Sequence, residues 1–243
     1  MTREKKKTDH AFPELKRLLR SRLIRLVAPK AAVDFFAGEG RILAGLYGGF
    51  AAVHAVEKDP AKLARLLARA REQAAANRPG PALTAYAMDN RDFVRAILPG
   101  LADVTFMDFD AYGNPHPLIA QAFAHHRVRE RTAVAVTDGG RMALLRGQRI
   151  TPAAYQVAAP DHRLARTRSL SASEYELLVR GFWKELAKKY GLTASYFTAS
   201  WAKGRRVMYY GLIIAPARDR MDQRGPLGSE PVEPEPARAG QAP

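Results

Sequence analysis

Val33-Asp34-Phe35-Phe36-Ala37-Gly38-Glu39-Gly40 decides the fold. The segment ends an apolar run, Ala31 to Phe36, and breaks into two glycines separated by one residue before a stretch that reads as the start of a helix. Glycine supplies backbone conformations closed to other residues and lets a ligand approach the main chain. A strand that ends in an acid and turns through glycines into a helix is the opening of a parallel α/β unit, with its ligand loop between Asp34 and Gly40.

The same rhythm continues outward from this point. Apolar runs at Ala51 to Val56, Leu83 to Tyr86, Val104 to Met107 and Ala133 to Val136 are separated by helical or loop segments, which is the βαβ alternation of a parallel sheet. Pro60 at a helix start and Leu63, Leu66 and Leu67 predict a crossover helix over Ala61 to Ala76. Ser173 with Glu176 three residues later predicts a capped helix from Glu174 to Tyr190, stopped by Gly191. Two last strands, Thr193 to Ser200 and Arg206 to Ile214, are joined through Lys203-Gly204 as a hairpin. No internal repeat is present.

The chain has 243 residues, 47% hydrophobic and 26% charged, a size and composition that suit one α/β domain with extensions. We expect a basic helical extension over 1–30, the α/β domain over 31–216 and a disordered tail over 217–243, where Pro, Gly and charge dominate. Within 1–30, ten Lys/Arg stand against three Asp/Glu, and Leu15, Leu18, Leu19, Leu23 and Leu26 mark an amphipathic helix with a basic outer face. No apolar run is long enough to cross a bilayer and the first residues do not form an apolar signal core, so a cytoplasmic protein without a membrane partner is expected. The absence of cysteine removes disulfides, thiolate metal sites and a cysteine nucleophile.

A net charge of +15 and a pI near 10.3 favour a polyanionic partner, nucleic acid first, because Lys and Arg replace counterions along a phosphate backbone. Solvated arginine faces of a high-Ala/Arg composition account for the same charge equally well. The histidines His54, His116, His125, His126 and His162 show no ligand spacing with acids and read as surface or packing residues, so no metal is expected. No serine stands on a Gly-x-Ser-x-Gly elbow. Trp183, Trp201, Phe182 and Tyr190 read as packing residues.

Further acids follow the first loop. Glu57 closes the second strand, where a carboxylate accepts from both hydroxyls of a ribose, and Met88-Asp89-Asn90 follows the third. A nicotinamide enzyme shares the acid but carries a third loop glycine, where this chain has Leu43 and Ala44. Asp34 to Gly40, Glu57 and Asp89, in this order, resemble the cofactor motifs of class I S-adenosylmethionine-dependent methyltransferases. That resemblance implies a Rossmann-like, doubly wound seven-stranded sheet with a terminal hairpin and S-adenosyl-L-methionine as cofactor. By it, Asp34 opens the cofactor loop, Gly38 and Gly40 line the methionine portion, Glu57 the ribose and Asp89 the adenine amine. Asp89 also reads as an ordinary helix N-cap before Phe93.

Phe106-Met107-Asp108-Phe109-Asp110-Ala111-Tyr112-Gly113-Asn114-Pro115-His116-Pro117 leaves the carboxyl end of the fourth strand. Methyl transfer to an exocyclic base amine needs acceptors that hold the amine hydrogens and a flat ring that stacks the base, and Asp110 and Tyr112 supply both types. A polar turn, with Gly113 at positive φ, is the plain alternative. The stretch resembles the Asp-x-Asp-Pro-Phe-Gly-Ser-Pro motif of the tRNA guanine-2-amino, dimethylguanosine-forming methyltransferases through Asp108, Asp110, Tyr112, Gly113 and Pro115. Val136-Thr137-Asp138, with Gly147 beyond it, is similar to a Thr-Asp pair of that family. The likeness implies that Asp110 orients the target amine, while Asp108 and Asp138 shape the cofactor or catalytic wall. Ala111 replaces the motif's Pro, and no counterpart of that family's carboxyl-terminal domain is expected after Ile214.

The expected activity is therefore N-methylation of a nucleic-acid base, RNA favoured, with the basic first helix and the arginines from Arg127 to Arg168 as a phosphate-binding surface. A DNA adenine or cytosine amino-methyltransferase is the first alternative. A nucleic-acid-binding module that keeps the fold without turnover is the second.

Overall fold

The computed structural model describes residues 13–76, 80–111, 113–146 and 170–217. Its strands are β1 (Ala31–Asp34), β2 (Ala52–Val56), β3 (Ala82–Tyr86), β4 (Val104–Asp110), β5 (Thr132–Asp138), β6 (Leu192–Trp201) and β7 (Met208–Pro216). They form one sheet in the order β3-β2-β1-β4-β5-β7-β6, parallel except for β7, which runs antiparallel to both β5 and β6. The chain steps outward from β1 to β3 and then returns to place β4 on the other side of β1. The carboxyl ends of β1 and β4 therefore flank the topological switch point, the crevice where such sheets hold ligands.

The helices are α1 (Pro13–Ile24), α2 (Leu43–Leu46), α3 (Pro60–Ala75), α4 (Asn90–Ala96), α5 (His116–His125), α6 (Gly140–Leu145) and α7 (Ala172–Lys189). Asp59 caps α3 by accepting from the Ala61 and Lys62 amides, with Pro60 in the first turn where its missing N–H costs nothing. The helix after the glycine loop is a single turn, α2, followed by a 3-10 turn at Tyr47–Gly49. Gly45, Gly48 and Gly49 make this stretch too poor a helix former to extend. The cap of α7 is Ser171, in a complete capping box with Glu174, and the helix begins two residues before the Ser173 expectation. The Ser-x-x-Glu pattern occurs twice in register here, and the copy nearer Leu170 closes the helix.

Two hydrophobic layers cover the sheet. One gathers Phe35, Phe93, Phe109, Phe123, Val134, Val136, Tyr175, Phe182, Trp183 and Tyr210 beneath α4, α5 and α7. The other gathers Leu19, Leu23, Tyr47, Phe50, Phe106, Ala135, Tyr209 and Ile213 beneath α1 and α2. Thus α1 contributes to the core: Leu23 is fully buried, and a Cβ on Gly211 of β7 would stand 2.3 Å from Leu23 Cδ1. Leu18, read as part of the apolar stripe, is instead 49% exposed. Trp183 and Phe182 are core residues, as expected. Among the described residues no helix is long and apolar enough to cross a membrane. The tail after Ala217, Gly147 and the arginines of 147–169 lie outside the described residues.

Candidate active site

The glycine loop is built as its sequence requires. Gly38 and Gly40 take φ of +56° and +73°, the left-handed region that side chains avoid. At Gly40 a Cβ would also stand 3.0 Å from Leu66 Cγ of α3. Glu57, at the end of β2, accepts from the Gly38 amide at 3.0 Å through Oε2 and from the Asp59 amide at 2.9 Å through Oε1. Each carboxylate oxygen keeps a second lone-pair direction, so Glu57 fixes the loop and still offers acceptors to hydroxyls. Asp89 caps α4, accepting from the Arg91 amide at 2.9 Å, while its outer oxygen lies 3.8 Å from Lys58 Nζ. Its capping role holds, and its exposed side chain stands over the end of β3.

A cluster of three carboxylates occupies the switch point. Asp34 lies opposite Asp108 in the β1–β4 register, and Asp110 lies two residues further along the same face of β4. Asp108 is fully buried and pairs with Arg20 of α1 in a fork, Nε to Oδ2 at 2.5 Å and the second guanidinium nitrogen to Oδ1 at 2.6 Å. The Tyr47 hydroxyl also donates to Asp108 Oδ2. Asp110 accepts from Lys16 Nζ at 2.6 Å, has Arg20 at 4.0 Å and keeps 17% of its side chain exposed. The first helix therefore turns a lysine and an arginine inward onto the two acids of β4.

Proton affinities follow this geometry. For Asp110, burial opposes ionisation, but Arg20 and Lys16 outweigh it and hold the carboxyl below its usual range. Arg20 is itself desolvated, yet Asp108 and Asp110 hold its proton more firmly than in water. Burial, with the charge of Asp108, pushes Asp34 well above the ordinary carboxylate range. Arg20 and Lys16 face these acids and offset part of the cost of holding them out of water.

Behind the loop that follows β4 lies a second polar chain. Trp183 Nε1 donates to the Tyr210 hydroxyl at 3.2 Å, and that hydroxyl is 3.2 Å from His116 Nε2. His116 Nδ1 is 2.7 Å from Asn114 Oδ1, which also accepts from the His116 amide. Burial pushes His116 down to about 3, so the ring is neutral, with Nδ1 donating to Asn114 and Nε2 accepting from Tyr210. Asp138 is fully buried, accepts from Tyr175 at 2.9 Å and from the Gly140 amide at 2.7 Å, and is pushed up to about 7 by burial. The Gly139 amide donates to the Gly113 carbonyl, tying the loop after β4 to the end of β5. Gly113 does not take the positive φ of the plain turn alternative. Tyr112 lies outside the described residues. Among those residues no group of three His, Asp or Glu is placed to hold a metal ion.

No family model matches this sequence, and no curated protein matches it. Solved structures do. Trm1 from Pyrococcus horikoshii in complex with S-adenosyl-L-methionine superposes with a TM-score of 0.57 at 14% identity, over 85% of this chain and 56% of that one. The fold is that of S-adenosylmethionine-dependent methyltransferases. The N-methyltransferase NodS from Bradyrhizobium japonicum gives 0.53 at 10% identity, over 86% and 98% of the two chains. A Pyrococcus horikoshii protein assigned as a transferase gives 0.51 at 20% identity, over 83% of this chain and 63% of its own. The chain thus spans less than two thirds of the length of two of these three.

Within this methyltransferase fold the structure gathers Asp34, Gly38, Gly40, Glu57, Asp108 and Asp110 at neighbouring strand ends. It separates Asp108 and Asp138 from any surface, since both are sealed among side chains. Three residues of the site were missed by the sequence reading: Lys16, Arg20 and Tyr47. A signal for two of them existed, because Lys16, Arg20 and Leu23 share one helix face at spacings of four and three. Two acids on an otherwise apolar strand require such cationic partners.

Proposed function

We propose that this chain transfers a methyl group from S-adenosyl-L-methionine to an exocyclic amine of a nucleic-acid base, with RNA the favoured substrate. The observation that carries the reading is Asp110: an ionised carboxylate at the carboxyl end of β4, partly open, at the switch point of a methyltransferase fold. Gly38, Gly40 and Glu57 fit the cofactor, offering close backbone approach and ribose acceptors on neighbouring strand ends, with Asp89 beside them for the adenine. The cofactor supplies the electrophile, a methyl on a positive sulfur.

Asp110 accepts a hydrogen bond from the target amine and so turns its lone pair toward that methyl. The bound cofactor would supply the methyl and keep the sulfur–carbon electron pair, while Asp110 would relay the proton of the methylated amine to water. Most of the acceleration then comes from orientation and from stripping water off the amine. Asp108 acts through Arg20, and Tyr112 supplies the stacking ring. The basic composition and the likeness of Asp108 to Pro115 to the guanine-2-amino methyltransferases support RNA over duplex DNA.

Labelled methyl transfer to total tRNA, ribosomal RNA and duplex DNA, with wild type beside Asp110→Asn, tests the reading. Label in RNA that falls at least ~100-fold in the variant, with cofactor binding retained, is expected. Label in DNA alone would move the substrate to the first alternative. Absence of label everywhere would remove the activity.

A further inference from the structure

Away from the carboxylate cluster, an open groove of about 470 Å³ runs between α7 and the edge strand β6. Its floor is apolar, made by Trp183, Ala187 and Leu212, and among the described residues none of those lining it is acidic. Along one rim stand Arg180, Lys184 and Lys188. Four-residue spacing puts them in a single row on the helix, about 6 Å apart. Arg180 is braced by Glu176 at 2.8 Å and lies 4.0 Å over the Phe197 ring, while Lys184 and Lys188 are exposed.

The opposite rim is a β-bulge. Ser195 pairs with Ile213 and Thr198 with Gly211, so Tyr196 and Phe197 together oppose Leu212 alone. Tyr196 takes φ +51° and is 47% exposed. A bulky side chain rarely adopts this backbone and does so at a cost, here with the result that a large ring is presented to solvent beside a row of cations.

We propose that this groove binds a single-stranded stretch of nucleic acid, its phosphates along Arg180, Lys184 and Lys188 and a base stacked on Tyr196. A row of cations flanking an exposed ring and an apolar floor matches a polymer whose backbone is anionic and whose bases are flat and apolar on their faces. An acidic peptide satisfies the cations and leaves the ring without a partner. On α7, Lys184 is about 14 Å from Tyr175, which bonds Asp138 at the carboxyl end of β5. A strand a few nucleotides long therefore reaches from the groove to the end of the sheet that holds Asp110. The groove stands on its own geometry and does not depend on methyl transfer.

Fluorescence anisotropy of a labelled oligouridylate on the full chain, without cofactor and across a salt series, tests it. Lys184→Gln with Lys188→Gln should weaken binding roughly tenfold at low salt and flatten the log affinity against log salt slope by about 1.4. Arg71→Gln with Arg95→Gln removes the same charge elsewhere and should leave that slope near the wild-type value. Tyr196→Gly keeps the backbone conformation, so the melting temperature should not fall, while affinity drops about tenfold. Equal effects of the two charge pairs, or wild-type affinity in Tyr196→Gly, would overturn the proposal.

Discussion

Lys16 and Asp110 hold each other at 2.6 Å, and any amine that Asp110 orients must share or displace that contact. The lysine also helps keep Asp110 ionised. Lys16→Met frees the oxygen but removes this support, so the acid limb of the kcat/KM profile should move to higher pH. An unmoved limb would separate Lys16 from the reacting carboxylate. His116 and Asp138, 3.8 Å apart, carry opposite pH effects. Unfolded, the imidazole titrates near ~6.5 and the carboxyl near ~3.9. Buried His116, at about 3, refuses a proton that the unfolded chain binds, so stability is lost as pH falls from ~6.5 to about 3. Buried Asp138, at about 7, keeps a proton that the unfolded chain releases, so stability is lost as pH rises from ~3.9 to about 7. In the wild type the slopes, each up to about 1.4 kcal/mol per pH unit, largely cancel. His116→Gln should leave stability falling between about pH 4 and 7, and Asp138→Asn should leave it rising between about pH 3 and 6.5. Urea midpoints across this range read both, and matching profiles in the two variants would refute the assignment.

At the level of elements, α1 is docked by a close fit as well as by charge. A Cβ at Gly211 would meet Leu23 Cδ1 at 2.3 Å, with Cδ2 and Cγ both at 3.1 Å, and Leu23 is fully buried. Gly211→Ala should therefore cost about 1–3 kcal/mol by urea unfolding. Leu23→Ala, destabilising alone, should recover part of that cost when combined with it, a coupling visible in a double-mutant cycle. Additive effects would place the strain elsewhere. The strands were legible because each carries its own apolar run, and the hairpin because Lys203-Gly204 interrupts two such runs. The apolar run of β4 stops at Met107 and that of β5 at Val136, while the strands continue to Asp110 and Asp138. The acids that end them are stabilised by Arg20, Lys16 and Tyr175, remote in sequence, so no local pattern announces these partners. The same remoteness hid the two cations that α1 turns inward, since its periodicity reads as an apolar stripe with a basic outer face.

For the molecule as a whole, the glycine loop, Glu57, Asp89 and Asp110 sit on four strand ends of one sheet, so a ligand that bridges them couples β3, β2, β1 and β4. S-adenosylhomocysteine at about 100 times its Kd should stabilise the fold by ~2.7 kcal/mol. Gly38→Val, strained at φ +56°, should abolish the accompanying rise in melting temperature, whereas Asp110→Asn should retain it. The doubly wound sheet with its terminal hairpin was legible through the resemblance of the successive motifs, and the strand order that puts the crevice between β1 and β4 comes from the structure. The placement of β7 between β5 and β6 has a consequence for biosynthesis. On the ribosome, β6 emerges before the strand that joins it to the sheet, and Leu23 waits for Gly211, about ten to forty seconds at ~5–20 residues per second. Until then Leu23 lacks the surface it packs on and the sheet lacks its final rung, so the growing chain passes through a long interval in which a chaperone has more to hold than the finished protein ever shows.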